Sequence, residues 1–384
     1  MPPKRDVAIY SPAASVFFGG AGLVANEAGD LVAGAAGVAQ GGGAELQMSL
    51  LARGLSAEGL ETGIILWPVA RRIESEGPEP DLIQRPAYAG TGARAKAREA
   101  RHIWHAMREA DARAYLFRGG GPPLTVGRAF CRLHRRRLIF SAASDLDFDF
   151  KRPDRERTNL AVYRAALRGV DLIVVQRSEQ GDLAREAGLS PIELIPSFAE
   201  PAEPSTSDPE AFLWIGRLVD YKRPMDYVRL AESLPESRFR TVWFATSETR
   251  PELISELQAA GDRLPNLELT GQVRREQLLD LIARSYAVVS TSRAEGMPNT
   301  FLEAWSRGVP VVSLDFDPDG RIAERGLGLV AHSAGELHEA ASRVWKDATA
   351  RDEMGRRARE HVAAVHSPAA VSEKWASVLR PLLA

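Results

Sequence analysis

Short apolar runs alternate with amphipathic stretches along the whole chain. In the first half Val7–Tyr10, Thr62–Trp67, Ala114–Phe117, Leu138–Ser141, Leu172–Gln176 and Ile192–Ile195 read as buried strands. A second set follows at Phe212–Ile215, Thr241–Ala245, Leu267–Thr270, Ala287–Ser290 and Val309–Leu314. Apolar residues at helical spacing fill Met225–Leu234, Pro251–Gly261 and Arg275–Arg284, and the tail from about Ser367 reads as one more amphipathic helix carrying Trp375, Val378 and Leu382. Strand and helix in regular alternation predict an α/β protein built on parallel sheets. Pro196–Glu210 is rich in Pro, Ser and Glu and lacks periodicity, so it reads as the break between domains over 1–200 and 208–366. Two such halves leave a cleft between them, a preferred place for a ligand.

Composition narrows this picture rather than changing it. Hydrophobic residues make up 45% and charged residues 26% of the 384, ordinary for a soluble globular protein. The net charge of −2 argues against a nucleic-acid binder with a globally basic footprint. Cys131 is the one cysteine, which excludes an intrachain disulfide and fits a reducing compartment. The start of the chain lacks a signal-peptide core, and Val16–Ala39 is too rich in glycine, and too interrupted by Asn26, Glu27 and Asp30, to read as a membrane span. A cytoplasmic protein is the expectation.

Ser290–Pro310 carries the most chemistry. An apolar strand ends at Ser290, a short helix is expected from about Asn299 to Arg307, Pro298 stands at its start, and Gly308 stands where a C-terminal glycine belongs. A strand-loop-helix turn of this kind aims unpaired N–H groups at the carboxyl edge of a parallel sheet, a seat for phosphate. Glu295 and Glu303 flank that seat. Carboxylates are poor phosphate ligands but good acceptors for sugar hydroxyls, so the pattern suggests a nucleotide-sugar site.

Glu295-Gly296, Pro298-Asn299, Phe301-Leu302-Glu303-Ala304 and Gly308-Val309-Pro310-Val311-Val312 resemble the signature of family 4 retaining glycosyltransferases of the GT-B fold (the group 1 type), whose two glutamates are separated by seven residues as here. The resemblance implies two Rossmann-like domains facing across a cleft, with the tail helix 367–384 packed back on the first. It is strong over Phe212–Ala364 and weaker elsewhere. It implies transfer of a sugar, with retained anomeric configuration, from a nucleotide-diphosphate donor to an acceptor hydroxyl. That acceptor would be a glycan, a lipid-linked molecule or a small molecule, as in polysaccharide or glycoconjugate synthesis.

Gly216-Arg217-Leu218 leaves a predicted strand, and Lys222 precedes a helix opened by Pro224; Lys222 is one of only six lysines in the chain. Both cations are placed to reach a diphosphate and match the family's donor-phosphate pair. The same resemblance gives Glu303 to the donor ribose and Glu295 to the transferred sugar. It gives the backbone of Gly296, Met297, Pro298, Asn299, Thr300, Phe301 and Leu302 to the rest of the donor, with the amides of Asn299 to Leu302 on the distal phosphate. Gly41-Gly42-Gly43-Ala44-Glu45 resembles the family's glycine-rich loop across the cleft, so Gly42 and Gly43 join the donor set. The plainer readings are a solvated Arg/Lys turn, a surface ion pair of Glu295 with Arg293, a solvent-facing Glu303 and a generic glycine loop. Gly20-Ala21-Gly22-Leu23-Val24-Ala25 matches a dinucleotide pattern but lies too far from Val7–Tyr10 to make its tight turn.

On the acceptor side stand Arg118, Gly119 and the Asp145-Leu146-Asp147 run, each after a predicted strand, with Asp145 the candidate to assist catalysis. Many family members carry a histidine in this region, and neither strand end has one here. Asp145-Leu146-Asp147 and Asp315-Phe316-Asp317 invite a metal reading, but Arg217 and Lys222 supply the charge a metal would, so no metal or other cofactor is expected. His102 and His105 lack a third ligand and read as a solvated helix face. His134-Arg135-Arg136-Arg137 reads either as a solvated helix end or as a contact for anionic lipid at the periphery of a membrane. Two alternatives stay open: a non-catalytic module of the same fold, and a nucleotide-sugar epimerase.

Overall fold

The computed structural model describes residues 3–18, 23–25, 31–33, 42–69, 77–86, 92–150, 157–204, 208–246 and 248–384. They form two compact units, Met1–Phe198 with Pro368–Ala384, and Ala199–Ser367.

The first unit runs β1 (Arg5–Tyr10), a short hairpin of β2 (Leu23–Ala25) and β3 (Leu31–Ala33), α1 (Gly43–Ala57), β4 (Thr62–Leu66), β5 (Asp81–Gln84), α2 (Ala93–Ala110) and β6 (Ala112–Arg118). It continues with α3 (Pro122–His134), β7 (Arg137–Ser141), α4 (Arg157–Leu167), β8 (Leu172–Val175), α5 (Ser178–Glu186) and β9 (Ile192–Leu194). Seven parallel strands are ordered β5-β4-β1-β6-β7-β8-β9. Buried on both faces, a strand such as Thr62–Leu66 has no polar side to alternate with. The order reverses between β1 and β6. In a doubly wound sheet the loops leaving the strands on either side of such a reversal frame the ligand site.

The second unit runs β10 (Ala211–Arg217), α6 (Pro224–Ser233), β11 (Phe239–Phe244), α7 (Pro251–Arg263), β12 (Leu267–Leu269), α8 (Arg275–Ala283) and β13 (Ser285–Ser290). Then come α9 (Asn299–Ser306), β14 (Val311–Leu314), α10 (Arg321–Arg325), β15 (Gly328–Ala331), α11 (Ala334–Lys346) and α12 (Ala348–Val365). Its six strands are also parallel, ordered β12-β11-β10-β13-β14-β15, with the reversal between β10 and β13. The last helix, α13 (Pro368–Leu383), returns to the first unit and buries Val371, Trp375 and Leu379 in its core.

Four strands escape the sequence reading. Asp81–Gln84 is a four-residue edge with one buried apolar side chain, and Gly328–Ala331 opens on a glycine and is only four residues long. The hairpin β2–β3 falls in the glycine-rich stretch, where no strand is expected from the sequence.

α9 ends as its sequence predicts. Gly308 takes φ 75°, its N–H donates to Trp305 O, and Val309 N–H donates to Ala304 O, the paired bonds of a Schellman cap. From α12, Gly355 meets this cap so closely that a Cβ would lie 2.0 Å from Gly308 O. Beneath α9, Trp305 and Phe301 are buried, and the Trp305 indole donates to Leu327 O. The helix is therefore fixed at its C-terminal end and along its inner face.

Candidate functional site

Because β10 and β13 flank the sheet reversal of the second unit, the loops leaving them meet. Three bonds hold them together. Thr291 Oγ1 donates to Lys222 O (2.7 Å), the Trp214 indole donates to Thr291 Oγ1 (3.0 Å), and Arg293 N–H donates to Tyr221 O (2.9 Å). Arg223 adds a brace: its backbone sits at φ 48°, and its guanidinium donates to Thr291 O, Leu314 O and Asp315 Oδ2, so one side chain ties three strand ends.

Into this frame come the predicted cations. Lys222 Nζ forms an ion pair with Glu295 Oε1, both side chains 16% exposed. Glu295 therefore pairs with Lys222 rather than standing on the surface against Arg293. Arg217, at the end of β10, donates to the Tyr221 hydroxyl and to Glu248 Oε2 (3.3 Å), and its guanidinium lies 5.7 Å from the Tyr221 ring centroid. Tyr221 thus spaces the two cations, with Lys222 Nζ 5.9 Å from the same ring. Gly216 packs against Trp214 beside Lys222.

Glu303 is buried, which excludes the solvent-facing reading. Burial pushes its carboxyl above the ordinary carboxylate range, while the Arg275 guanidinium, donating to Oε1 at 2.8 Å, pulls the other way. Arg275 also pairs with Glu200, and Arg307 donates to Glu303 O. At the start of α9, Pro298 is the cap, and its carbonyl accepts from Phe301 and Leu302 N–H. Two of the four amides expected on a distal phosphate are thus engaged within the helix. Asn299 and Thr300 occupy its first turn, where N–H groups lack helical acceptors. Gly296 and Met297 form the turn before Pro298, with Met297 buried.

The first unit gathers its own candidates at the carboxyl ends of β6 and β7. Asp147 is buried, and its oxygens accept from Ala143 N–H (2.6 Å), Ser144 N–H (3.1 Å) and Gly120 N–H (3.0 Å). Burial raises its pKa, and the three N–H groups pull it down. Its carboxylate is taken up in fastening the two loops to each other, not turned to an acceptor. Asp145 accepts from Arg177 Nη2 with both oxygens (2.6 and 2.7 Å). Arg118 donates to Ser141 Oγ (2.9 Å), and its buried Nε lacks a partner. Burial draws its pKa down to about 10 against the pull of Asp147 and Glu45. Gly119 takes φ 73° and donates to Ser141 O.

α1 begins at Gly43, with Gly42 as its cap at an ordinary φ of −68°. A Cβ there would meet only the movable Glu45 carboxylate, so neither turn geometry nor backbone crowding calls for glycine at 42. Gly41 lies outside the described residues.

The Asp-x-Asp runs are engaged elsewhere. Asp315 pairs with Arg223, and Asp317 accepts from Ile322 and Ala323 N–H, capping α10. His102 and His105 sit on α2, where Arg101 contacts His105. Among the described residues no group of three or more potential ligands could hold a metal ion, and no helix is long and apolar enough to cross a membrane.

Arg275, Arg223, Tyr221 and Arg177 escape the sequence reading. Arg275 reaches Glu303 because α8 packs on α9, a proximity that no local spacing encodes. Tyr221, one residue from Lys222, was within reach of the same motif.

Residues 209–347 match the family model of glycosyl transferases group 1, so the second unit carries that domain. Over 99% of both chains the structure is similar to sucrose-phosphate synthase from Thermosynechococcus elongatus (TM-score 0.77, 16% identity). It is also similar to Anabaena HepE in complex with UDP (TM-score 0.69, 15% identity, 98% of this chain and 100% of that one). A third such structure is WaaG, a glycosyltransferase involved in lipopolysaccharide biosynthesis (TM-score 0.67, 15% identity, 97% and 99%). The fold is GT-B, and by fold and domain together the chain is a glycosyltransferase.

Proposed function

We propose that the protein is a retaining glycosyltransferase that moves a sugar from a nucleoside-diphosphate sugar to an acceptor hydroxyl without a metal ion. The observation that carries this reading is the Lys222–Glu295 ion pair at the strand reversal of the second unit, beside a helix holding the buried Glu303. HepE, crystallised with UDP-glucose, supports a nucleotide-sugar donor.

Lys222 and Glu295 neutralise each other. A bound diphosphate offers Lys222 a stronger partner, and the Glu295 carboxylate is then released to accept from hydroxyls of the transferred sugar. Arg217 and Lys222 stabilise the negative charge that grows on the diphosphate as the glycosidic bond breaks, with the first-turn amides of α9 adding to it. Glu303 accepts from the ribose hydroxyls, held ionised by Arg275. Asp145, locked by Arg177, is a weak candidate for general base. The departing diphosphate oxygen takes the acceptor proton, which places attack on the face the diphosphate leaves and retains configuration. The acceptor is a glycan, a lipid-linked molecule or a small molecule that offers one hydroxyl.

Incubation with a panel of nucleoside-diphosphate sugars, with chelator present, tests this. Nucleotide release with an α-to-α or β-to-β product by NMR is the expected result. Nucleotide binding without release, or isomerised donor, would overturn it.

A further inference from the structure

At the amino ends of β7 and β8, opposite the ends that carry the candidate site, a cavity of about 550 Å³ opens in the first unit. Five arginines line it: Arg128 and Arg132 on α3, Arg135 just after α3, and Arg136 and Arg137 leading into β7. Two are neutralised, since Arg136 donates to Asp111 (3.0 Å) and Arg137 to Asp171 (2.8 Å). Among the described residues the side chains of Arg128, Arg132 and Arg135 form no ion pair or hydrogen bond. Three uncompensated guanidiniums thus converge on one cavity of a chain whose net charge is −2. Guanidiniums repel one another, so without an anion this grouping costs free energy.

Two backbone features maintain it. Arg135 is held at φ 52°, ψ 46°, the left-handed cap position where glycine or asparagine is preferred and a Cβ is penalised. Gly169 is the floor: a Cβ there would fall 2.3 Å from Cζ of Arg128, so only glycine lets that guanidinium lie across the turn before β8. Leu133, next to Arg132 on α3, is 68% exposed.

From these observations we propose that the cavity is a second anion site, built for a multiply charged phosphate ester. Planar guanidinium forks match phosphate oxygens in pairs, and three of them suit a diphosphate or two neighbouring phosphates better than one isolated charge. Such a group is presented either by a soluble phosphorylated molecule or by the headgroups of an anionic membrane, which exposed Leu133 would accompany.

Titration calorimetry of the full chain with inorganic pyrophosphate at constant ionic strength tests the site. A binding event should persist in Lys222→Ala and weaken at least about tenfold in Arg128→Gln/Arg132→Gln/Arg135→Gln. Arg135→Gly guards against misfolding: relief of the left-handed arginine should raise its Tm while it binds pyrophosphate more weakly. Equal binding by the wild type and the triple variant, or loss of all binding in Lys222→Ala alone, would overturn the proposal. Vesicles of phosphatidylcholine with and without phosphatidylglycerol separate the sources. Retention on the anionic vesicles that pyrophosphate reverses identifies headgroups, and pyrophosphate binding without retention identifies a soluble ester.

Discussion

Lys222 and Glu295 come from different strand ends and are the pair on which the donor reading turns. Lys222→Ala should lower kcat/KM for donor by about ten- to hundredfold, the value of a charge-assisted contact, with unchanged kinetics counting against the role. Glu295→Gln alone should weaken turnover while leaving Lys222 to bind nucleotide diphosphate at least as well, measured by calorimetry. Their pairing makes the double variant less impaired than the product of the singles. Arg275→Met removes the cation that opposes the burial of Glu303. Protonation of Glu303 should then reach toward neutral pH, and nucleotide affinity should fall as pH drops through a range in which the wild type still binds, measured by calorimetry at several pH values. A different titration governs stability. His361 is drawn down to about 4 by burial, with Arg321 and Arg325 adding to it, so the folded state holds it neutral. The unfolded chain binds its proton near pH 6.5, so this stabilisation is complete above that value and is lost as pH falls toward about 4. Discounted for partial exposure, the loss is roughly 1–2 kcal/mol, and His361→Asn should flatten the fall in Tm over that window.

At the scale of elements, the strands whose apolar runs are unbroken were legible, as were α6, α7 and α8, each opened by a proline or a charged turn. β5 and β15 were not, because an edge strand of four residues leaves little pattern to read. The site divides in the same way. Arg217, Lys222, Glu295 and Glu303 lie in local motifs and could be read. Arg275 and Arg223 act through packing of α8 on α9 and through the meeting of three strand ends, which only the sheet order brings about. Asp147 looked like a free carboxylate in the sequence, since its three N–H donors come from two separate loops. The cap of α9 offers a test. Gly308→Ala forces a Cβ into the left-handed region at a cost of about 1–2 kcal/mol, measurable by denaturant midpoint.

For the molecule as a whole, α13 matters more than its position at the end suggests. Its Val371, Trp375 and Leu379 are buried in the first unit, each worth roughly 1.5–3 kcal/mol, so together they approach the net stability of a typical domain. A chain stopped at Ser367 should show a first unit that is cut by protease at low dose while the second unit resists. Two units with separate cores also need not unfold together, so calorimetry should be read for two transitions before a single Tm is quoted.

The contact between Gly355 and Gly308 bears on any attempt to change donor preference by transplanting segments. The stretch that holds Glu295 and Glu303 looks portable, a loop and a two-turn helix bounded by strands. Yet its last carbonyl is seated against the backbone of a helix some fifty residues further on, where a relative with alanine would clash. A chimaera that imports residues 285–314 without residues 348–365 would therefore inherit the donor's chemistry on a misaligned mount. The transplantable cassette is discontinuous, and its second half contains no residue of the candidate site.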